Sequence, residues 1–300
     1  MSKVLVTGGA GFIGSHLVDR LVSLNHEVTV IDDLSTGNED NVNAKAHFLK
    51  YTIGTNLASL LIQEERFDVV FHLAAQINLR DSFMDPVHDA RTNVMGSLKL
   101  IEGAVKSGSK MIFSSTGGAI YSPRSSVPWS ENDPAIPESP YGVSKLAVEH
   151  YLRVLTTNSA ILRLANVYGP RQNPKGEAGV ISIFLDRMLQ DQPIKIFGDG
   201  FQTRDFVYVD DVVDAFMLAM VNDITGIYNV STCDRVDINK IAELLKRMTS
   251  KNNLLIEYAP PIEGELKHSA LNYHKIKGMW GWRPKTALYD GLKKTVAYYL

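Results

Sequence analysis

Among 300 residues there is a single cysteine, Cys233. No disulfide can form within the chain, and a thiol-tolerant cytoplasmic setting is expected rather than a secreted one. Cys233 itself reads as a packed small apolar residue. No apolar run approaches membrane-spanning length, and the opening Met1-Ser2-Lys3 leads straight into a glycine-broken strand without a signal-like apolar core. Long blocks of Lys and Arg are also missing, and the formal net charge is −2. This leaves no electrostatic footprint for nucleic acid or an anionic membrane, so small anions must be bound by local chemistry. No metal site is expected. What remains, 45% hydrophobic and 21% charged, is an ordinary globular composition, enough for one large domain with a lobe or for two domains.

Short β-rich runs alternate with longer helical patterns through the first half. The runs are Val4 to Thr7, Glu27 to Asp32, Ala46 to Tyr51, Val69 to His72, Lys110 to Ser114 and Ala160 to Leu164. This alternation predicts an α/β fold with a doubly wound parallel sheet of about seven strands. The intervening helices include Gly11 to Leu24 and two long ones, Asp89 to Ser107 and Tyr141 to Leu155. Beyond Asn166 the turn-rich Gly169-Pro170-Arg171-Gln172-Asn173-Pro174-Lys175-Gly176 marks a change to a smaller lobe. The run from Phe206 to Met220 reads as a strand entering a buried helix, where the chain returns to the sheet. The domains are therefore expected to interleave, with 1–166 plus about 203–232 forming the dinucleotide-binding domain and about 167–202 plus 233–300 the substrate lobe.

Val4-Leu5-Val6-Thr7 leads into Gly8-Gly9-Ala10-Gly11-Phe12-Ile13-Gly14 and then a helix. Glycine is needed there for a tight turn, for close backbone approach to a pyrophosphate, and for aiming a helix N-terminus at its charge. Alone, this GxxGxxG string is equally a strand-to-helix connection that binds nothing. The second strand, however, ends in Asp32-Asp33, where a ribose partner belongs. A carboxylate at Asp32 would repel a 2′-phosphate, which favours NAD over NADP. Asp33 reads as a turn residue, and His72 as a core histidine bonded to nearby backbone.

After Pro140, Tyr141-Gly142-Val143-Ser144-Lys145 opens a helix, which places Tyr141 and Lys145 on one face. A phenol is a poor base at neutral pH. Lowering its pKa by about three units takes roughly 4 kcal/mol, within reach of an adjacent ammonium and a cationic nicotinamide ring. Alone, the pair is equally an amphipathic surface feature. Ser114-Ser115-Thr116 follows the fifth strand, at the carboxyl edge where doubly wound folds bind ligands, and offers a bridging hydroxyl. Such residues also commonly form turns.

Taken together, GGAGFIG, the Asp32 position, HLAAQ, SSTGGAIY, YGVSK and LRLANVYGPRQ resemble the extended short-chain dehydrogenase/reductase superfamily, and within it the UDP-glucose 4-epimerases, over essentially the whole chain. The resemblance implies a catalytic site of Tyr141, Lys145 and Thr116. In it Tyr141 removes the C4 hydroxyl proton of a UDP-hexose while NAD takes and later returns the C4 hydride through a 4-keto sugar. It implies NAD contacts at Gly8, Gly11, Phe12, Ile13, Gly14, Asp32, Leu34, Ser35, Thr36, Gly37, Ile53, Leu73, Ala74, Ala75, Asn93, Ser114, Tyr141 and Lys145. Substrate contacts would fall at Thr116, Asn166, Val180, Lys195, Phe197, Arg204 and Glu265. Of these, Arg204 suits a diphosphate, since a guanidinium grips phosphate oxygens in a fork; the competing reading is a surface arginine paired with Asp205. The two long helices match those that form the family's homodimer interface, although their apolar stripes also suit an ordinary core.

Departures from the family pattern bear on the substrate. Thr52 replaces an aspartate expected to meet the adenine amine. Ile262 stands where an arginine should contact the nucleotide phosphates, a loss of about 1.5 to 3 kcal/mol for which Lys267 offers partial compensation. Ser269 stands where some members carry a tyrosine beside the sugar, leaving room for an N-acetyl group. Rival enzymes on the same scaffold, a 4,6-dehydratase or a UDP-glucuronate decarboxylase, would need a carboxylate just after Thr116, where this chain has Gly117-Gly118. UDP-glucuronate 4-epimerisation stays open, with Arg204 or Lys175 as partner for the acid. A non-catalytic NAD-binding sensor would have no use for Tyr141, Lys145 and Thr116 together.

Overall fold

Runs such as Val4-Leu5-Val6 and Val69-Val70-Phe71 are apolar at every position and buried along their length. Such strands need cover on both faces, which a parallel sheet between helices provides. In the computed structural model, which describes residues 1–122, 126–175, 179–221, 225–261 and 266–300, the strands are β1 (Lys3–Thr7), β2 (Glu27–Asp32), β3 (His47–Lys50), β4 (Val69–His72), β5 (Lys110–Thr116), β6 (Ser159–Leu164), β7 (Asn166–Tyr168), β8 (Ile194–Phe197), β9 (Thr203–Arg204), β10 (Phe206–Tyr208), β11 (Gly226–Val230), β12 (Val236–Asp237) and β13 (Ile256–Ala259). Seven of them form one parallel sheet in the order β11-β6-β5-β4-β1-β2-β3. The order reverses between β1 and β4, and the crevice for ligands in such folds opens there, beyond the carboxyl ends of the strands.

The helices are α1 (Phe12–Ser23), α2 (Asn56–Glu65), α3 (Leu79–Met84), α4 (Pro86–Ala90), α5 (Gly96–Ser107), α6 (Pro140–Leu155), α7 (Val180–Leu189), α8 (Val209–Val221), α9 (Ile238–Met248), α10 (His274–Trp280) and α11 (Leu288–Tyr299). Leu17 and Leu21 of α1 pack with Val212 and Phe216 of α8 on one face of the sheet. Ile62 of α2, Leu100 of α5 and Val148 and Leu152 of α6 cover the other. A separate core unites Phe184 and Leu185 of α7, Ile196 of β8, Ile241 and Leu245 of α9, and Leu292 and Val296 of α11.

Two expectations change. Phe206–Tyr208 is a strand and does enter the buried helix α8, but it pairs with β7 in a small sheet of its own. The chain rejoins the main sheet one element later, at β11 beside β6. The first long helix begins earlier than Asp89, because Asp85 caps it by accepting from His88 N at 2.9 Å and Pro86 supplies the first turn. It runs through a π-helical turn, Arg91–Met95, into α5. The widened turn carries Asn93, whose carbonyl accepts from Ser97 Oγ at 2.5 Å.

Candidate active site

The loop between β1 and α1 is built by close approach. Gly8 has φ +74°, and a Cβ there would lie 2.7 Å from Ala74 N. A Cβ at Gly14 would collide with the Gly8 carbonyl. Gly11 caps α1 without a side chain, and Gly11, Phe12, Ile13 and Gly14 line a cavity of about 770 Å³. Uncapped N–H groups at a helix start, open to a cavity, suit an anion. Asp32 closes this end. Its Oδ2 accepts from Ala10 N at 3.0 Å and its Oδ1 from Leu34 N at 2.9 Å. Burial pushes its carboxyl above the ordinary range, and the two backbone bonds partly offset this. Asp33 turns the chain by accepting from Ser35 N at 2.9 Å, as its turn reading requires.

The cavity continues past Leu73, Ala74 and Ala75 to Ser114, Thr116, Tyr141 and Lys145. Thr116 is the last residue of β5, two beyond the expected strand end, and still at the carboxyl edge. Helix α6 starts where it does because Ser139 Oγ accepts from Gly142 N at 3.1 Å and Pro140 occupies the first turn. Thr116 and Tyr141 both line this end of the cavity. Burial raises the Tyr141 phenol well above its ordinary value, Asp89 adds to the shift, and the Thr116 hydroxyl offsets part of it. Lys145 is buried and lowered to about 8 by that burial, with Asp89 and then Glu149 opposing. Its Nζ donates to the Ser114 carbonyl at 3.0 Å and stands 4.8 Å from the Phe113 ring centroid and 5.9 Å from that of Tyr141. This arrangement holds an ammonium beside a phenol, with a hydroxyl on the same stretch of lining, the parts needed to move one proton at a substrate alcohol.

His72 is fully buried, but its partners are side chains rather than backbone: Thr7 Oγ1 at 2.9 Å from Nδ1 and Ser97 Oγ at 2.7 Å from Nε2. Burial, with Lys145 adding to it, lowers its pKa to about 3. It is a neutral strut. Cys233 is only half-buried, in the left-handed region at φ 65°, where its N–H donates to Asp205.

Five of the remaining expected contacts also line the cavity: Ser35, Thr36, Ile53, Asn166 and Val180, with Thr52 beside Ile53. Others stand behind its lining. Leu34 acts through its N–H on Asp32, and a Cβ at Gly37 would come within 3.1 Å of Asp32 Oδ1. Asn93 is buried in the π turn and pins Gln76, accepting from Gln76 N and donating to Gln76 O, both at 2.9 Å. Lys195, Phe197 and Arg204 are not among the described residues that line the cavity. Phe197 lies under the Arg80 guanidinium at 5.6 Å and the Lys195 ammonium at 5.3 Å. Arg204 Nη1 donates to the Thr203 carbonyl at 3.0 Å. The competing reading of Arg204 loses ground because Asp205 is buried and accepts instead from Thr232 N and Oγ1, Cys233 N and Leu271 N. Glu265 and Ile262 lie outside the described residues.

Sequence reasoning missed two buried carboxylates flanking α6. Glu149 holds Arg163 at 2.6 Å and accepts from Ser115 Oγ at 2.6 Å. Asp89 accepts from Ser144 Oγ at 2.6 Å. Glu149 follows Lys145 by four residues and Asp89 precedes Asn93 by four, so helical spacing from residues already singled out would have found both.

Residues 4–231 match the model of the NAD dependent epimerase/dehydratase family. A UDP-glucose 4-epimerase of Mycolicibacterium smegmatis is 40% identical over 308 residues, covering 99% of this chain and 98% of that protein. Among solved structures, UDP-glucose 4-epimerase of Thermotoga maritima with UDP-glucose superposes with a TM-score of 0.96 at 45% identity, covering 99% of this chain and 98% of that one. The Thermus thermophilus UDP-glucose 4-epimerase in complex with NAD gives 0.91 at 38% identity, with the same coverage of both chains.

Proposed function

The chain belongs to the NAD dependent epimerase/dehydratase family, and from that premise we propose that it is an NAD-dependent isomerase that interconverts UDP-galactose and UDP-glucose at C4. The observation that carries this reading is that Tyr141 and Thr116 line the same end of the cavity as the buried Lys145, whose ammonium stands 5.9 Å from the Tyr141 ring centroid, while the other end begins at the glycine loop.

The residues present fit NAD. The glycine cradle leaves no room for a Cβ at Gly8 or Gly14, the first turn of α1 offers N–H groups to a pyrophosphate, and Asp32 stands ready to accept from ribose hydroxyls. When bound, NAD supplies a reversible hydride acceptor for the sugar C4. The chain supplies proton transfer: Tyr141 takes the proton from the C4 oxygen and returns it, Thr116 bridges the phenol to that oxygen, and Lys145 holds positive charge beside the phenolate. For inversion at C4, the 4-keto sugar would present its other face before Tyr141 returns the proton. Elimination of a C6 group would need an acid where Gly117 and Gly118 stand, and a Cβ at Gly117 would run into the Leu271 side chain. Ser269, buried and small, leaves an N-acetyl group as an allowed substituent.

In this reading Arg204, Lys195 and Phe197 meet the UDP portion from the lobe side, and Asn166 and Val180 the sugar. The interleaved division of the domains belongs to the same proposal. So does a homodimer through the two long helices, supported by the exposed apolar Val87, Met95, Val143 and Val154 along them. Among the described residues no helix is long and apolar enough to cross a membrane, and a cytoplasmic location is proposed.

The test is turnover of purified protein with UDP-galactose, UDP-N-acetylgalactosamine and UDP-glucuronate, with and without added NAD. Conversion of UDP-galactose to UDP-glucose without net consumption of NAD is expected. Release of carbon dioxide from UDP-glucuronate, with no epimer from any sugar, would replace the reading with a decarboxylase.

A further inference from the structure

Asp89 is a fully buried carboxylate whose partners are all neutral. Its Oδ2 accepts from Ser144 Oγ at 2.6 Å, and its Oδ1 from Asn93 Nδ2 at 3.0 Å and Gln76 Nε2 at 3.4 Å. Burying a carboxylate is costly, and the usual remedy is a contacting cation. Glu149, on the same catalytic helix, follows that rule through Arg163. Asp89 does not: among the described residues no Lys, Arg or His forms an ion pair with it. Its three donors belong to the parts that frame the proton-transfer site. Gln76 lies within the Leu73–Asn78 stretch of the cavity lining, Asn93 pins it there, and Ser144 precedes Lys145 in α6.

We propose that Asp89 is a positioning residue for proton transfer, fixing the Gln76 wall and α6 together through its hydrogen bonds and, as a carboxylate with no contacting cation among the described residues, setting the pH window in which Tyr141 and Lys145 exchange the proton with substrate. The inference rests on the epimerase reading of Tyr141.

The surroundings single Asp89 out. From β4, Lys145 faces His72, which is neutral. From β5 it meets the Ser114 carbonyl, which carries no net charge. From β6, Arg163 is committed to Glu149. On its own helix Lys145 has Tyr141 and Glu149, and from α4 it has Asp89. Asp89 is the larger of the two opposing influences that keep the Lys145 ammonium from falling below about 8, and it also makes Tyr141 hold its proton more firmly. Since the proton must be both taken and returned in each turnover, a base poised near the working pH serves better than one made strongly acidic by two cations.

The test compares Asp89→Asn and Asp89→Ser, which remove the charge, with Asp89→Glu, which keeps it. The first readout is ultraviolet titration of the Tyr141 phenolate in NAD-loaded protein, taken as the difference from Tyr141→Phe, and it needs no sugar. In the neutral variants the titration is expected to move to lower pH by about one unit. Both limbs of the turnover profile should move the same way, so turnover on the alkaline limb drops about tenfold while turnover on the acid limb rises by a similar factor. Asp89→Glu should keep the original profile. An unmoved titration with turnover lowered evenly at every pH would overturn the proposal. So would loss of NAD from both neutral variants with Asp89→Glu intact, since that marks a purely architectural role. A wild-type titration that responds to Asp89 in a protein that epimerises none of the sugars would leave Asp89 standing and remove the epimerase reading instead.

Discussion

The cleft has two sides built in different ways. On the sheet side, Thr7, Asp32, His72 and Thr116 are the last residues of four strands, and their relative heights follow from register: Thr7 pairs with His72, and His72 with Phe113. On the lobe side that we propose for the UDP portion, outside the described cavity lining, Lys195 and Phe197 sit on the two-stranded β8–β13 sheet and Arg204 on β9, a two-residue strand paired with β12. Position on the first side is held by a continuous parallel sheet buried on both faces. On the second it is held by short pairings and loops. Chemistry that tolerates little displacement belongs on the first side, and recognition that adjusts to the size of its ligand belongs on the second.

If that division is right, substitutions on the sheet side should cost turnover and those on the lobe side should cost substrate affinity. The largest effect is expected for Tyr141→Phe, which should lower kcat by about 10³-fold while NAD content, measured by absorbance after denaturation, stays at the wild-type level. A rise in KM with kcat intact would place Tyr141 with the lobe residues and break the comparison. Arg204→Ala should do the reverse, raising KM for the UDP-sugar by about 10- to 100-fold, equivalent to about 1.5 to 3 kcal/mol, with a small change in kcat. Equal loss of kcat would mean that Arg204 acts on the reacting sugar.

The smallest effect concerns rigidity of the sheet side. His72 has a folded value of about 3 against 6.5 when unperturbed. Because the folded value is the lower one, the unfolded chain takes up the proton first. The stability that neutral His72 contributes is present above pH 6.5 and is lost as pH falls toward 3, about 2 kcal/mol by pH 5. Urea midpoints at pH 7 and pH 5 should therefore diverge more for wild type than for His72→Gln; an equal divergence would remove His72 from the account.

The same contrast governed what could be read from the sequence. The residues that line β1, β2, β4 and β5 were legible because a strand, its glycine turn and the carboxylate at the end of the next strand are local patterns. The parallel order of the sheet followed from their alternation with helices. The pairing of Phe206–Tyr208 with β7 was not legible, since a short apolar strand carries no record of its partner. Asp89 and Glu149 are buried although acidic residues on helices ordinarily face solvent, so only their four-residue spacing from Asn93 and Lys145 marks them. Asn93, expected at the cofactor, is buried in the π turn and bonded to Gln76 rather than among the described residues that line the cavity, a placement that no sequence pattern marks. Lys195, Phe197 and Arg204 came from resemblance alone, and the short elements that carry them gave no pattern by which to place them.

The lobe core draws on Phe184, Leu185 and Ile196 before β11 and on Ile241, Leu245, Leu292 and Val296 after it, while β11 itself lies in the main sheet. Such a core is not a contiguous cassette. A single recombination event between two genes of this kind would deliver half of one lobe packed against half of another, and seams would have to match at residues more than a hundred positions apart. A single crossover would therefore break this core, and if the lobe selects the sugar as proposed, changes in specificity are expected to accumulate as individual substitutions within an intact core.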